Sequence, residues 1–171
     1  MKSKRNLTML DLVGDIVSKV PRGLALIASL SEGGKKGVVF TMPQFEHLGF
    51  ANWGLAILND SELIQYRDAV NISNKEVRRW AQEYDLAVVD LEALYKAIHR
   101  KEYVLQNGLL IDSSMRGNFF SSDGLYPTTL GQVIIANEVL KSINEKYGAD
   151  VPLIDIPLYA SKIGLNLKTG Q

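Results

Sequence analysis

The residues with the greatest capacity for chemistry lie in one loop, 117–128, which contains glycines, serines, an aspartate and a tyrosine. Asp123 carries a carboxylate that could take part in acid–base chemistry. The same residue could instead organise the loop, because Asp-Gly is strong turn chemistry. Tyr126 could contact a substrate, or it could serve as an aromatic cover over the start of the following helix.

The two histidines are a second source of acid–base chemistry. His47 follows a predicted strand, on the side where ligand sites form, so it could supply a base or could be a solvated loop residue. His99 stands beside Arg100 at a predicted helix end, where we expect it to interact with the helix dipole and solvent. Because the chain has no cysteine and its histidines are far apart in sequence, we expect no metal site and no cofactor.

Three aromatic side chains lie near His47 in the sequence. Phe45, Phe50 and Trp53 could line a pocket for an acyl chain or a sugar. They could equally pack their loop onto the core, where aromatic side chains bury a large apolar area. The sequence leaves both alternatives open.

Two continuous apolar runs rich in β-branched residues predict strands, over 37–42 and 86–91. Neither run alternates with polar residues, which is typical of strands buried on both faces in a parallel sheet. Between 103 and 111 we expect a small hairpin or an extended loop, because Asn107-Gly108 favours a tight turn.

Apolar residues at spacings of three and four predict helices on both sides of these strands. Asp60 or Ser61 is expected to cap a long helix between the two strands. Thr129 is expected to begin the last helix with Gln132 completing a capping box, and Gly148 to end it. The other predicted helices cover 7–20, 24–30 and 92–100.

The order helix, strand, helix, strand, helix predicts an α/β fold with parallel strands in a single domain, 1–171. Sheets usually have about four to six strands, so further strands are hidden in loops or belong to sequence outside this chain. Since open sheet edges must be covered, we expect a homo-oligomer or a missing N-terminal complement. Residues 1–6 and 157–171 are expected to be flexible tails.

The charge balance argues against nucleic acid as a partner, because 19 lysines and arginines are matched by 19 acidic residues. Apolar runs are too short to predict a membrane span. The first residues do not form a signal peptide, which predicts a cytoplasmic protein if Met1 is the true start. If it is not, the cell envelope or secretion is the alternative.

The loop 117–128 resembles the last conserved block of the SGNH hydrolases, the family of GDSL-type lipases and esterases. That block reads Asp-x-x-His-Pro before a C-terminal helix, and residues 123–128 here read Asp-Gly-Leu-Tyr-Pro-Thr, followed by Gly131 and Ile-Ala-Asn at 135–137. Further segments are similar to those of bacterial GDSL lipases, and the resemblance covers roughly residues 24–156. These segments are 37–43, 74–90 and 144–152.

The resemblance implies a three-layer α/β/α, flavodoxin-like fold with a parallel sheet that lacks its N-terminal strands, and hydrolysis of acyl or acetyl esters. It places Asp123 at the position that orients the catalytic histidine and Tyr126 at the position of that histidine. Phenols ionise only near pH 10 whereas imidazole titrates at about 6.5, so a tyrosine is a poor base there. The Gly-Asp-Ser nucleophile block of the family is absent from the sequence.

Two functions remain open. The first is an SGNH-type ester hydrolase-like protein that is catalytically incomplete, because the serine block and the histidine are absent, unless upstream sequence supplies the nucleophile. The second is a non-catalytic ligand-binding or structural module on a decayed SGNH scaffold. Either would take a small-molecule ester or a glycan ester as its ligand. A nucleotide-binding domain is not expected, because neither strand is followed by a phosphate-binding glycine motif.

Overall fold

The computed structural model describes residues 36–54 and 58–167. The helices predicted over 7–20 and 24–30, and the tails predicted for 1–6 and the last four residues, lie outside the described residues. Within the described part the protein is a mixed α/β structure with one parallel sheet of two strands and five α-helices.

Both predicted strands are present, and they are shorter than the sequence indicated. β1 (Val38–Phe40) pairs in parallel with β2 (Ala87–Val89), and Val38 lies opposite Ala87. Burial on both faces is incomplete in both strands: in β2 Ala87 and Val89 are buried on one face while Val88 on the other is half-buried, and in β1 Phe40 is 45% exposed. β1 is the less buried strand because β2 is packed closely by the last long helix, which touches β1 less.

The segment after β1, which the sequence predicts to be a loop, contains a 3-10 turn (Phe45–His47) and a short helix, α1 (Gly49–Asn52). The crossover helix α2 (Asp60–Glu83) then returns the chain to β2. Its cap is Asn59, not Asp60 or Ser61 as predicted. The Asn59 side chain accepts from the Glu62 N–H while the Glu62 carboxylate accepts from the Asn59 N–H, so the two residues form a reciprocal capping box.

Helix α3 (Leu91–His99) follows β2 directly and is capped by Asp90, whose side chain accepts from the Ala93 N–H. The predicted hairpin at 103–111 is confirmed in a short form, with an antiparallel bridge between Val104 and Leu110. Gly108 lies in its turn with φ of 81°, a left-handed conformation that glycine adopts without strain.

The last long helix, α4 (Thr129–Tyr147), ends at Gly148 as predicted, with a left-handed φ of 60° at that glycine. Its cap is Thr128, whose hydroxyl accepts from the Gly131 N–H, so the predicted capping box of Thr129 with Gln132 is wrong. A further helix, α5 (Ile156–Ile163), packs on α4 and is capped by Asp155. The segment expected to be a flexible tail from 157 onward is therefore helical as far as residue 163.

The direction of α4 relative to the sheet decides where its first residues lie. Near its end, the Tyr147 hydroxyl donates to the Gly37 carbonyl and accepts from the N–H groups of Gly37 and Ala87, which precede β1 and begin β2. The C-terminal end of α4 is thus fixed at the amino ends of both strands. Because a helix of 19 residues is about 28 Å long, its first residues lie beyond the carboxyl ends of the strands.

The hydrophobic core lies mainly between α3, the 103–111 hairpin and α4. The apolar core residues with 0% exposure in this region belong to α3, the hairpin, α4 and the loop before α4. They are Ile98, Ile111, Phe119, Leu130 and Ile134.

Candidate functional site

The residues that the sequence singled out for chemistry form a tight loop, 121–128, here called the rim loop. Its two sides are joined by a bridge between Phe120 and Pro127 and by a hydrogen bond from the Ser121 N–H to the Tyr126 carbonyl at 2.8 Å. At its end the Thr128 N–H donates to the Phe119 carbonyl, also at 2.8 Å. The loop is therefore closed by backbone hydrogen bonds before α4 begins.

The rim loop lies against the segment that follows β1. The Phe50 N–H donates to the Gly124 carbonyl at 2.9 Å. Gly124 has φ of +67°, and a Cβ added there would lie 2.8 Å from Cζ3 of Trp53, so the close approach requires glycine. Since the 45–53 segment leaves the carboxyl end of β1, the rim loop lies at that end of the sheet.

A floor of three aromatic rings lies beneath the rim loop. Tyr95 of α3 packs edge-on against Phe119 and Phe120, with ring centroids 5.2 and 5.8 Å away. The Phe119 and Phe120 rings themselves meet at 4.9 Å, also in a T-shaped arrangement. Such edge-to-face contacts stabilise the fold by more than the apolar area that they bury. They fix the position of the rim loop on α3.

Asp123 organises the rim loop. One carboxylate oxygen, Oδ1, accepts from the Ser121 hydroxyl at 2.7 Å and from the N–H groups of Leu125 and Tyr126 at 2.8 and 3.0 Å. The Leu125 N–H, the Ser121 hydroxyl and the Tyr126 N–H together hold the pKa of Asp123 below its ordinary value of 3.8. Of the two roles that the sequence allowed, these contacts are those of a turn-forming carboxylate.

Tyr126 points away from the protein, with 64% of its surface exposed, beside Leu125 at 46%. It therefore does not cover the start of α4, as one interpretation of the sequence held. Pro127 takes that place, since a Cβ added at Gly131 of α4 would lie 2.7 Å from the Pro127 Cβ. The Asp123 carboxylate contacts the backbone N–H of Tyr126 rather than its phenol.

The three loop aromatics pack inward. Phe45 is 4% exposed and meets the rings of Phe50 and Tyr66 edge-on, at 5.1 and 5.5 Å. The Trp53 indole N–H donates to the Ser113 carbonyl at 3.1 Å. Their geometry is that of side chains that fasten the 45–53 segment to its neighbours, and it places Trp53 directly beside the rim loop.

The two histidines, which the sequence separates widely, lie in contact. The ring centroids of His47 and His99 are 5.2 Å apart. Burial, and after it His99, Lys96 and Arg100, lower the pKa of His47 from its ordinary value of 6.5, while Glu46 acts in the opposite direction. His99 lies in the last turn of α3, where the helix dipole was expected to act on it, and it also meets His47, because the 3-10 turn brings His47 against the end of α3.

A polar cluster at the carboxyl ends of both strands was not identified from the sequence. Thr41 and Asp90 come directly after β1 and β2, and the Thr41 hydroxyl donates to Asp90 Oδ1 at 2.9 Å. Arg78 of α2 bonds both Asp90 and Glu92, at 3.0 Å each. Asn74, 1% exposed, accepts from the Met42 N–H and donates to the Met42 carbonyl.

Asp90 is ionised within this cluster. Partial burial opposes ionisation, yet the pKa of Asp90 is lowered because the Ala93 N–H, Arg78 and Thr41 all donate to it. Each charge has an opposite partner, so the cluster fixes the ends of the strands and the start of α3. The signal that could have revealed it is the matched position of Thr41 and Asp90, one residue past paired strand ends.

Within residues 36–54 and 58–167, no three or more histidine, cysteine or acidic side chains come together as a set of metal ligands. Over the same ranges, none of the helices combines the length and apolar character needed to cross a bilayer.

Comparison of the chain with protein-family models, with curated proteins and with solved structures found no match.

Proposed function

We propose that this chain is a catalytically incomplete relative of the SGNH-type ester hydrolases, in which the rim loop binds an acyl or acetyl ester without supplying a base. The observation that carries the proposal is the position of the loop. A segment resembling the proton-relay block of that family enters α4 at the carboxyl end of a parallel sheet, held there by the bond from Phe50 to Gly124. In open parallel sheets, ligands bind at this end of the strands.

The same proposal includes the three-layer fold of that family. Two parallel strands with α4 packed on them are compatible with part of a three-layer α/β/α, flavodoxin-like arrangement. Such a sheet would need strands in addition to β1 and β2 of the described residues. Phe40, 45% exposed on β1, marks the strand with the less covered surface.

The absence of a base follows from the side chains of the rim loop. Tyr126 stands where the family has histidine, and its ring is directed outward. Asp123 Oδ1 already accepts three hydrogen bonds from its own loop. An ester bound here would meet the exposed side chains of Leu125 and Tyr126, which offer apolar contact and a hydroxyl but no proton acceptor suited to neutral pH.

The second candidate is a module that binds a ligand, or serves a structural role, with no trace of a hydrolytic site. The commitment of Asp123 to its own turn favours it, because that carboxylate would be retained for folding alone. The two candidates differ in what a histidine at position 126 would do. In a hydrolase-derived site it would restore the acid–base partner of Asp123, and in a module it would be an inert surface residue.

Hydrolysis of p-nitrophenyl acetate distinguishes these cases. We expect the natural chain to release p-nitrophenol at the buffer rate. Tyr126→His is compared with Leu125→His, which puts the same imidazole on the neighbouring exposed position and so controls for unspecific catalysis. A rate for Tyr126→His at least about tenfold above the control favours a hydrolase-derived site, because the gain requires a nucleophile beside position 126, whereas equal rates favour a chain without the serine block, whether relic or module. Turnover by the natural chain that Asp123→Asn abolishes would overturn the proposed incompleteness.

A further inference from the structure

His47 and His99 form a contact between two elements, the 3-10 turn and α3, and this contact is independent of the proposed function. The two imidazoles lie with ring centroids 5.2 Å apart and planes tilted by 47°. Nδ1 of each ring is buried, and neither atom has a hydrogen-bond partner in the described part of the chain. His47 belongs to the 3-10 turn after β1, and His99 is the last residue of α3.

This arrangement suits a neutral His47 ring and not a charged one. An unprotonated Nδ1 without a partner is an unsatisfied acceptor, and its burial costs less than the burial of an unpaired charge. A proton added at Nδ1 creates a buried N–H without an acceptor, which costs the desolvation of a charged group. Two protonated rings at this separation would also repel each other.

The charged groups around His47 strengthen this preference. From α3, Lys96 and Arg100 add positive charge and favour the neutral ring, together with His99 itself. From its own turn, Glu46 favours protonation, but the Glu46 Oε1 atom is bound by Arg67 of α2 at 2.9 Å, which offsets its charge. Helix α1, the remaining neighbour, carries no charged residue in Gly49–Asn52.

The histidine contact is mechanically connected to the rim loop. His47 is followed by α1, whose Phe50 N–H holds the Gly124 carbonyl, and then by Trp53, which packs on Gly124. We propose that the contact between His47 and His99 is an acid-sensitive latch that holds the 45–53 segment against α3 and thereby supports the rim loop. Below neutral pH the latch opens and the segment loosens without unfolding of the protein.

The direction of the pH effect follows from the lowered pKa of His47. The unfolded chain takes up a proton near the ordinary value of 6.5, whereas the closed latch takes it up only at lower pH. The latch therefore contributes its full stability above pH 6.5 and loses it as the pH falls from 6.5 through the lower folded pKa.

Two tryptophans make the opening measurable. The chain has only Trp53, beside the rim loop, and Trp80 on α2. In the full-length Trp80→Phe chain, acrylamide quenching of Trp53 is followed from about pH 8 to about pH 5. We expect quenching to rise about twofold with a midpoint below 6.5, while Trp80 in a Trp53→Phe chain shows no matching change.

His47→Gln and His99→Gln each remove one ring of the latch, and either should abolish the pH-dependent rise in Trp53 quenching. Using both variants keeps the test decisive if one of them folds poorly, and far-ultraviolet circular dichroism reports folding across the same range. A Trp53 transition that survives in both variants overturns the proposal. So does a transition that Trp80 and the circular dichroism follow in parallel, because that would be global unfolding.

Discussion

The hydroxyl of Tyr147 donates a hydrogen bond of 2.6 Å to the carbonyl of Gly37, joining the end of α4 to the start of β1. The same oxygen accepts from the N–H groups of Gly37 and Ala87, so one side chain ties the helix to both strands. This relationship fixes the direction of α4 and thus places the rim loop at the opposite end of the sheet. The position of the candidate site depends on it.

Replacing Tyr147 by phenylalanine should therefore destabilise the protein by about 1–2 kcal/mol, since it removes the hydroxyl and keeps the ring. Urea denaturation monitored by circular dichroism measures the change. Tyr159→Phe is the matched control, because within the described residues that hydroxyl makes no hydrogen bond, and it should stay within about 0.5 kcal/mol of the natural chain. Equal effects of the two substitutions would show that the strand contacts of Tyr147 do not stabilise the fold.

Gly124→Ala should cost more stability than Gly108→Ala. Both glycines have positive φ, so both variants carry backbone strain on the order of 1 kcal/mol. Only at position 124 would the new methyl group collide with the 45–53 segment, 2.8 Å from Trp53, whereas nothing lies within 4 Å at Gly108. We expect a further loss of about 1–3 kcal/mol for Gly124→Ala in urea denaturation. If the two variants lose the same free energy of unfolding in urea, the rim loop does not pack on Trp53 as described.

Much of the fold could be predicted because its signals are local. Two apolar, β-branched runs gave both strands, and Gly148 gave the end of α4. The predicted caps were misplaced by one or two residues, because Asn59, Asp60 and Ser61, like Thr128 and Thr129, are all good cap residues and only the chain path selects between them. The exposure of Phe40 depends on which elements pack against β1, and the local sequence of β1 does not reveal those elements.

The sequence singled out the loop before α4, but not the contacts that this loop and the histidines make. Asp-Gly turn chemistry and the family resemblance both led to the rim loop. The meeting of His47 with His99 depends on the turn after Met42 and on the length of α3, so no local pattern reveals it. The same holds for Arg78, which reaches Asp90 and Glu92 from a helix predicted only by its apolar face.

Asn59→Ala should lower the stability of α2 by about 1 kcal/mol, because it removes the acceptor for the Glu62 N–H and half of the capping box. Ser61→Ala, at one of the positions that the sequence suggested as the cap, should change it by less than about 0.5 kcal/mol. The measurement is the urea midpoint of each variant. A larger effect at Ser61 than at Asn59 would place the helix start where the sequence alone put it.

Asp123→Ala should destabilise the rim loop more than Asp123→Asn, because the asparagine oxygen can still accept from the Leu125 and Tyr126 N–H groups. The lowered pKa of Asp123 means that its contribution is present above pH 3.8 and is lost as the pH falls through the lower folded value. Thermal melting at about pH 7 and about pH 3 measures both effects, with Ser122→Ala as an exposed control in the same loop. A loss in Asp123→Ala that is no greater than in the control would contradict the turn-forming role.

Ester binding by the rim loop is tested most directly by titrating the Trp80→Phe chain with an acetyl ester such as triacetin. Trp53 fluorescence reports binding, and acetate release reports hydrolysis. We expect a saturable change in Trp53 fluorescence that is lost in Tyr126→Ala, with acetate released no faster than in buffer. A fluorescence change that Tyr126→Ala leaves intact, or none at all, would contradict ester binding by the rim loop. Acetate release above the buffer rate would contradict its lack of a base.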